Sequence, residues 1–282
     1  TMTTARAIYV PKKLELHTDP ELREINMGDW EDKTWGEVLT SGGEICDARF
    51  SKSCGGMMEK FSACWEDMDY SYLQGISDTA AESTTPDLTS EEAATEWIMT
   101  SPESFCNTDD NKILSQVLND YALETKDFYR WQYRYTKDEV SELYARRSGT
   151  DIGDIVAMIP VERSVSARLK KLKVIGTKGR VIIGKELIIR RYLSESHLKS
   201  SAFIVKYYDA NDNEMTEQSV LEAWTRDRSI CWDHIILFGA GWGHGVGLCQ
   251  IGAAVMSYNG YTFDRILQHY YPGSELVRTT NQ

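Results

Sequence analysis

Glycine occupies every second position from 239 to 247 in the stretch Gly239-Ala240-Gly241-Trp242-Gly243-His244-Gly245-Val246-Gly247-Leu248-Cys249-Gln250-Ile251-Gly252. No other feature constrains this chain as tightly. In an extended backbone alternate side chains point to opposite faces. One face of the ribbon then carries no side chain, while Ala240, Trp242, His244 and Val246 share the other. A bald face lets another backbone or a ligand come very close. Ordering five glycines costs conformational entropy, so the pattern calls for a close contact to offset it. Leu248, Ile251, Val255 and Tyr258 then follow helical spacing, and Asn259-Gly260 supplies a stop. A ribbon that runs into a helix start offers free N–H groups to an anion or a sugar. Phosphate cradles of the usual kinds are excluded: no Gly-Lys-Ser/Thr closes the ribbon, and the dinucleotide spacing fails because position 244 is His. Two readings stay open. Either a glycine-rich strand packs under a helix with His244 merely hydrogen-bonded, or Trp242 and His244 meet a sugar by stacking and a polar contact.

Composition bounds the rest. At 282 residues, 41% hydrophobic and 11% aromatic, the chain can bury one large core or two modest ones. A net charge of −12 argues against general nucleic-acid binding. No run of about 18 apolar residues exists to span a membrane, and no signal peptide is visible at Thr1. The six cysteines (Cys46, Cys54, Cys64, Cys106, Cys231 and Cys249) form no C-x-x-C pair. Buried free thiols are the simpler expectation, although Cys46, Cys54 and Cys64 could converge in space.

Local signals give an α+β order without a βαβ rhythm. Val38-Leu39 and Ile45 read as strands joined through Ser41-Gly42-Gly43. The small polar run that ends in Gly55-Gly56 reads as a tight, exposed loop. Residues 79–112 are polar and read as an exposed connection around a short helix at 90–97, with a solvated acidic face. Thr136-Lys137-Asp138-Glu139 is a capping box that opens a helix to about Arg147, stopped by Gly149. Strands are expected at 152–161, 169–175, 181–183, 200–208 and 235–238, with a helix over 184–193. Thr262 caps a last amphipathic helix on Phe263, Ile266, Leu267 and Tyr270.

The ribbon from Gly241 to Ala254, followed by Gly260 and by Ile266-Leu267-Gln268-His269-Tyr270-Tyr271-Pro272-Gly273, resembles the closing signature of the SpoIID/LytB family. That family comprises stage II sporulation protein D-type peptidoglycan lytic transglycosylases and amidase enhancers. The resemblance runs from about residue 35 to 280. It includes Gly43-Glu44-Ile45-Cys46-Asp47-Ala48-Arg49-Phe50-Ser51-Lys52-Ser53-Cys54-Gly55-Gly56, Trp65, Tyr70-Ser71-Tyr72-Leu73, Asp78, and residues 185–203. It implies that the loop lies at a glycan-binding cleft, with Arg49, Ser51, Ser53, Gly55, Gly56, Trp242, His244 and Gln250 as candidate substrate-binding residues. Arg49 stands where the family commonly has Tyr, and Met58 where it has Thr. The expected partners are peptidoglycan glycan strands and a cell-wall amidase, in the cell envelope or another extracytoplasmic setting.

Lytic transglycosylation needs a carboxylic acid held protonated near neutral pH and a groove that orients the strand. The family supplies the acid from a Glu ahead of an Ala- and Gln-rich helix, and some members bind zinc through a His-Cys-Gln segment. Neither motif is found in this sequence, so the catalytic residue is unknown and no metal ligand set or cofactor is expected. Glu44, Asp47 and Glu59 lie near the loop without an evident means of raising their pKa. The expectation is therefore a glycan-binding and remodelling protein lacking its acid, or a non-catalytic cell-wall module or amidase enhancer.

Residues 1–38 fit a different pattern. Ala5-Arg6-Ala7 and Leu22-Arg23-Glu24-Ile25-Asn26-Met27-Gly28-Asp29-Trp30-Glu31-Asp32 resemble part of a histidine phosphatase (phosphoglycerate mutase-like) domain, in which Glu24 matches the proton donor. The nucleophilic His of an Arg-His-Gly opening is missing, and His17 has no such context. Phosphohistidine chemistry needs that nucleophile, so this segment reads as a non-catalytic fragment. The domain reading is thus a phosphatase-like fragment at 1–38 and one main SpoIID/LytB-like domain at 39–282, incomplete at its N-terminal side. Mixed sheets with packed helices build that domain, with a helical part at 110–150 and a strand-rich part at 151–282 that ends in the ribbon and its helices.

Overall fold

A computed structural model of the chain describes residues 36–80, 85–118 and 127–278. Of the phosphatase-like stretch at 1–38, residues 1–35, Glu24 among them, lie outside the described residues. The described chain begins with a hairpin, β1 (Glu37–Ser41) and β2 (Glu44–Ile45). Its turn glycines, Gly42 and Gly43, have φ of 59° and 85°, the left-handed region that a two-residue hairpin turn demands. Short strand β3 (Phe50–Ser51) precedes helices α1 (Glu91–Thr100) and α2 (Asn111–Val117). Then come β4 (Arg130–Thr136), α3 (Lys137–Ser148), β5 (Ile155–Arg163), β6 (Leu169–Gly176), β7 (Arg180–Ile183) and α4 (Glu186–Tyr192). The chain continues through β8 (Phe203–Tyr208), β9 (Glu214–Met215), α5 (Glu217–Asp227) and β10 (His234–Ala240). It closes with β11 (Leu248–Cys249), α6 (Gln250–Tyr258), α7 (Phe263–Tyr270) and β12 (Glu275–Arg278).

These elements form an α+β fold with four separate sheets among the described residues. Two of them, β4-β10-β8-β9 and β5-β6-β7, are antiparallel. They share a core built from Trp131, Ile155, Met158, Leu172, Phe203, Tyr207, Trp232 and Leu237. The large polar-tipped side chains there are satisfied: Tyr207 Oη donates to Met158 O and accepts from Met158 N, and Trp232 Nε1 donates to Val156 O. Burying them therefore leaves no orphaned polar atom, which would otherwise cost about 1–3 kcal/mol each. The capping box at α3 is complete, with Thr136 Oγ1 accepting from Glu139 N and the Glu139 carboxylate accepting from Thr136 N.

A second core holds the candidate site. It joins Cys54, Met58, Phe61, Leu73, Phe105, Cys106, Phe128, Val246, Cys249, Ile251 and Tyr270, drawn largely from loops and from α2, α6 and α7. The small sheets β12-β1-β2 and β11-β3 tie the two ends of the described chain together here. Residues 36–80 are thus built into the same body as the C-terminal ribbon.

Several expectations need correction. The stretch 110–150 is not wholly helical: β4 places Trp131, Tyr133 and Tyr135 in alternation along an edge of the sheet beside β10. The connection at 79–112 is not simply exposed, because Ala94, Ile98, Phe105 and Cys106 are buried. Its acidic face is not wholly solvated either, since Glu91 forms a two-bonded pair with the buried Arg163 at 2.6 and 2.8 Å. Thr262 stands at the N-cap of α7 but makes no side-chain cap bond. Among the described residues no helix is long and apolar enough to cross a membrane.

Candidate functional site

The ribbon leaves β10 at Ala240 and does not continue as a plain strand. Gly241, Gly243, Gly245 and Gly247 have φ of 74°, 108°, 78° and 70°, so glycine alternates with residues of ordinary backbone. This corrects the expected bald-faced extended ribbon, and Val246, expected beside Trp242 and His244, is fully buried. The glycines are needed for two reasons at once. Side chains rarely adopt these φ values, and the space is already taken. A Cβ on Gly241 would stand 2.8 Å from Ser53 O, and one on Gly243 2.8 Å from Ser51 Cβ. One on Gly245 would meet the Arg168 guanidinium, and one on Gly247 would overlap the Arg49 carbonyl.

The contact that this close approach permits is with residues 49–56. Trp242 N donates to Ser53 O at 2.8 Å, and Ser53 N returns a bond to Trp242 O at 3.1 Å. Further on, β11 pairs in parallel with β3, Leu248 opposite Phe50 and Cys249 opposite Ser51. Gly55 packs reciprocally, since a Cβ there would lie 2.7 Å from Gly241 N. Buried Arg168 braces both segments from below. Its Nη2 donates to Cys54 O at 3.1 Å and to Gly243 O at 3.3 Å.

The eight candidate residues therefore lie in one region but at two depths. Ser51, Ser53, Gly55 and Gly56 are buried, which corrects the exposed loop expected at that place. The ribbon covers Ser51, Ser53 and Gly55, while Trp97, Tyr129 and Ser104 enclose Gly56, so these residues support the surface rather than form it. Ser51 Oγ makes no hydrogen bond within the protein. Arg49, Trp242, His244 and Gln250 are partly exposed. The Arg49 guanidinium pairs with Asp47 at 2.8 Å and lies 4.3 Å from the Trp65 ring centroid. Trp65 in turn meets His244 edge-on at 4.9 Å. Lys52 Nζ sits 3.9 Å from the Trp242 ring centroid, and Lys199 Nζ 5.0 Å.

His244 is held neutral. Burial first, then the nearby Arg168, Arg190 and Arg49, push its pKa down to about 3. Its Nδ1 accepts from Val246 N–H at 3.0 Å, so this nitrogen is engaged inside the protein. Sequence reasoning missed Lys52, which carries no motif of its own, and the buried Lys199, which pairs with Asp127 close to the Trp242 ring. It noted Trp65 within the resemblance without giving it a role at the site.

Two carboxyl groups near the site have raised pKa values. Burial raises Glu59, against the opposing charge of Arg168 and bonds from Ser166 and Ser164; this corrects the expectation that it lacked any such means. Glu59 is nonetheless fully buried and held by Ser164 Oγ, Ser166 Oγ and Lys60 N, each at 2.7 Å. Asp78 is pushed up to about 6, chiefly by burial, and is also fully buried. Neither can reach a solvent-borne substrate.

Beneath the loop lies a grouping that spacing in the sequence did not suggest. Cys54, Asp78, Cys106 and Cys249 are all buried, and their potential ligand atoms lie within 4.8 Å of one another. Cys46 and Cys64, whose convergence with Cys54 the sequence left open, do not join them. All six cysteines are free thiols.

A family model described as "Domain of unknown function (DUF8618)" matches residues 59–247. A model described as "Histidine phosphatase superfamily (branch 1)" matches residues 1–97, extending beyond the segment at 1–38 and overlapping the first match. No curated protein matches the chain.

Proposed function

Because the chain belongs to the family described as a domain of unknown function (DUF8618), its activity must be read from its own residues, and we propose that it binds peptidoglycan glycan strands along the ribbon and the adjoining loop. The observation that carries this reading is the pairing of residues 239–249 with residues 49–55. That pairing gathers two partly exposed tryptophans, Trp65 and Trp242, each with a cation against its ring. Indole faces and edges suit the apolar faces of sugar rings. Arg49 and Lys52, both partly exposed, suit the carboxylates that peptidoglycan carries on its lactyl and peptide substituents. The SpoIID/LytB-like signature in the same residues supports the same ligand.

The two carboxyl groups with raised pKa values, Glu59 and Asp78, are fully buried, which favours binding and positioning over cleavage by the described residues. A cell-wall amidase working on the same strand is the partner this reading implies, in an extracytoplasmic setting. The test is co-sedimentation with purified sacculi. A stacked aromatic contributes about 0.5–1.5 kcal/mol beyond its buried area, so Trp242→Ala should weaken binding about threefold to tenfold. Unchanged binding by both Trp242→Ala and Trp65→Ala, with circular dichroism intact, would reject the proposal.

A further inference from the structure

From the convergence of three thiols and one carboxylate at the base of the loop, we infer that Cys54, Asp78, Cys106 and Cys249 hold a single structural zinc ion. The four residues come from four separate segments: the loop after β3, the stretch before α1, the loop after α1, and the junction of β11 with α6. Cys54 Sγ lies 3.5 Å from Cys106 Sγ and 3.3 Å from Asp78 Oδ2. In a tetrahedral zinc site with Zn–S of about 2.3 Å, neighbouring sulfurs stand about 3.8 Å apart. The Cys54–Cys106 separation needs to widen by only a few tenths of an ångström, and all four ligand atoms already lie within 4.8 Å of one another.

The surroundings are arranged as a zinc site requires. Asp78 divides its two oxygens: Oδ2 faces the thiols, while Oδ1 accepts from Tyr270 Oη at 2.8 Å and meets His269 Nε2 at 3.2 Å. Such outer bonds orient a ligating carboxylate. Cys249 Sγ accepts from Cys54 N–H at 3.2 Å, and Ser104 Oγ lies 3.4 Å from Cys106 Sγ. Both contacts stabilise thiolate sulfur. Four protein ligands close the coordination sphere, and all four are at most 2% exposed, so the site is structural and leaves no position for a substrate.

A disulfide satisfies the cluster less well. It requires sulfurs at about 2.05 Å, and pairing any two would strand the third thiol beside a buried carboxylate. The ligand set is also distinct from the His-Cys-Gln segment, which this sequence does not contain. Because Cys54 directly follows the Ser53 that pairs with Trp242, the ion would fix the floor of the candidate glycan surface. The inference does not depend on what that surface binds.

The test uses the full chain, purified reduced and without chelator, with metal content measured by inductively coupled plasma mass spectrometry. One zinc per chain is expected, falling below about one tenth in Cys106→Ser and remaining at one in the controls Cys46→Ser and Cys231→Ser. Should Cys106→Ser fail to fold, cobalt(II) substitution of the unaltered chain decides. Thiolate-to-cobalt charge-transfer bands and intense tetrahedral d–d absorption support the site. Their absence, or zinc retained unchanged in a folded Cys106→Ser, or a disulfide among these cysteines in freshly prepared protein, would overturn it.

Discussion

Substituting Gly247 by Ala isolates the physical role of the glycine pattern. Gly247 has φ of 70°, and a non-glycine residue held there costs about 1–2 kcal/mol. The added methyl would also overlap the carbonyl oxygen of Arg49. That oxygen accepts from Leu248 N at 3.0 Å and from Tyr271 Oη at 2.7 Å. Displacing it endangers both bonds, each contributing about 0.5–1.5 kcal/mol net. The expected loss is therefore about 2–5 kcal/mol, or roughly 5–15 °C in Tm for a domain of this size. Gly273 provides the control, because its φ is 74° and nothing lies within 4 Å of a Cβ built there. Gly273→Ala carries the backbone strain alone and should lower Tm by about 2–6 °C. Differential scanning calorimetry on both variants gives the comparison. Equal losses in the two would show that the ribbon's glycines serve only backbone conformation, and the close-contact argument would fail.

Two further outcomes are expected. Incubated with denuded glycan strands, the protein should release no anhydro-sugar product detectable by mass spectrometry, because Glu59 and Asp78 are sealed from solvent; a clear anhydro product would refute this. The pH dependence of stability should carry a His244 component: its folded pKa of about 3 lies below the ordinary value of about 6.5, so the unfolded chain binds the extra proton between those values. Stability present above about pH 6.5 is then lost as pH falls toward 3, and a folded His244→Gln variant should show a shallower fall in Tm between pH 7 and pH 4.5. Parallel slopes would refute that assignment.

What could be read from the sequence was mostly local. The α3 capping box and the Ser41-Gly42-Gly43 turn are each specified by a few adjacent residues, and both formed as their chemistry dictates. The signal for strand β4 is equally local, with Trp131, Tyr133 and Tyr135 at period two running directly into the capping box of α3. The ribbon shows the limit of periodicity. Glycine at every second position is compatible with an extended strand and with a chain that alternates the sign of φ. What selects the second is the proximity of Ser51, Ser53, Arg49 and Arg168, which are remote in sequence.

The same non-locality hides the loop's burial and the thiol cluster from the sequence. A polar run such as Ser51-Lys52-Ser53 is ordinarily a solvated turn. Here Trp242 N donates to Ser53 O and Ile251 N to Lys52 O, so burial leaves those carbonyls bonded. Once Ser53 is fixed under Trp242, Cys54 must point away from the surface, toward Asp78, Cys106 and Cys249. The glycine pattern thus has an indirect consequence that no motif spells out. Pressing one backbone onto another leaves Lys52 against Trp242 at the surface and buries Ser53 and the Cys54 thiol beneath it.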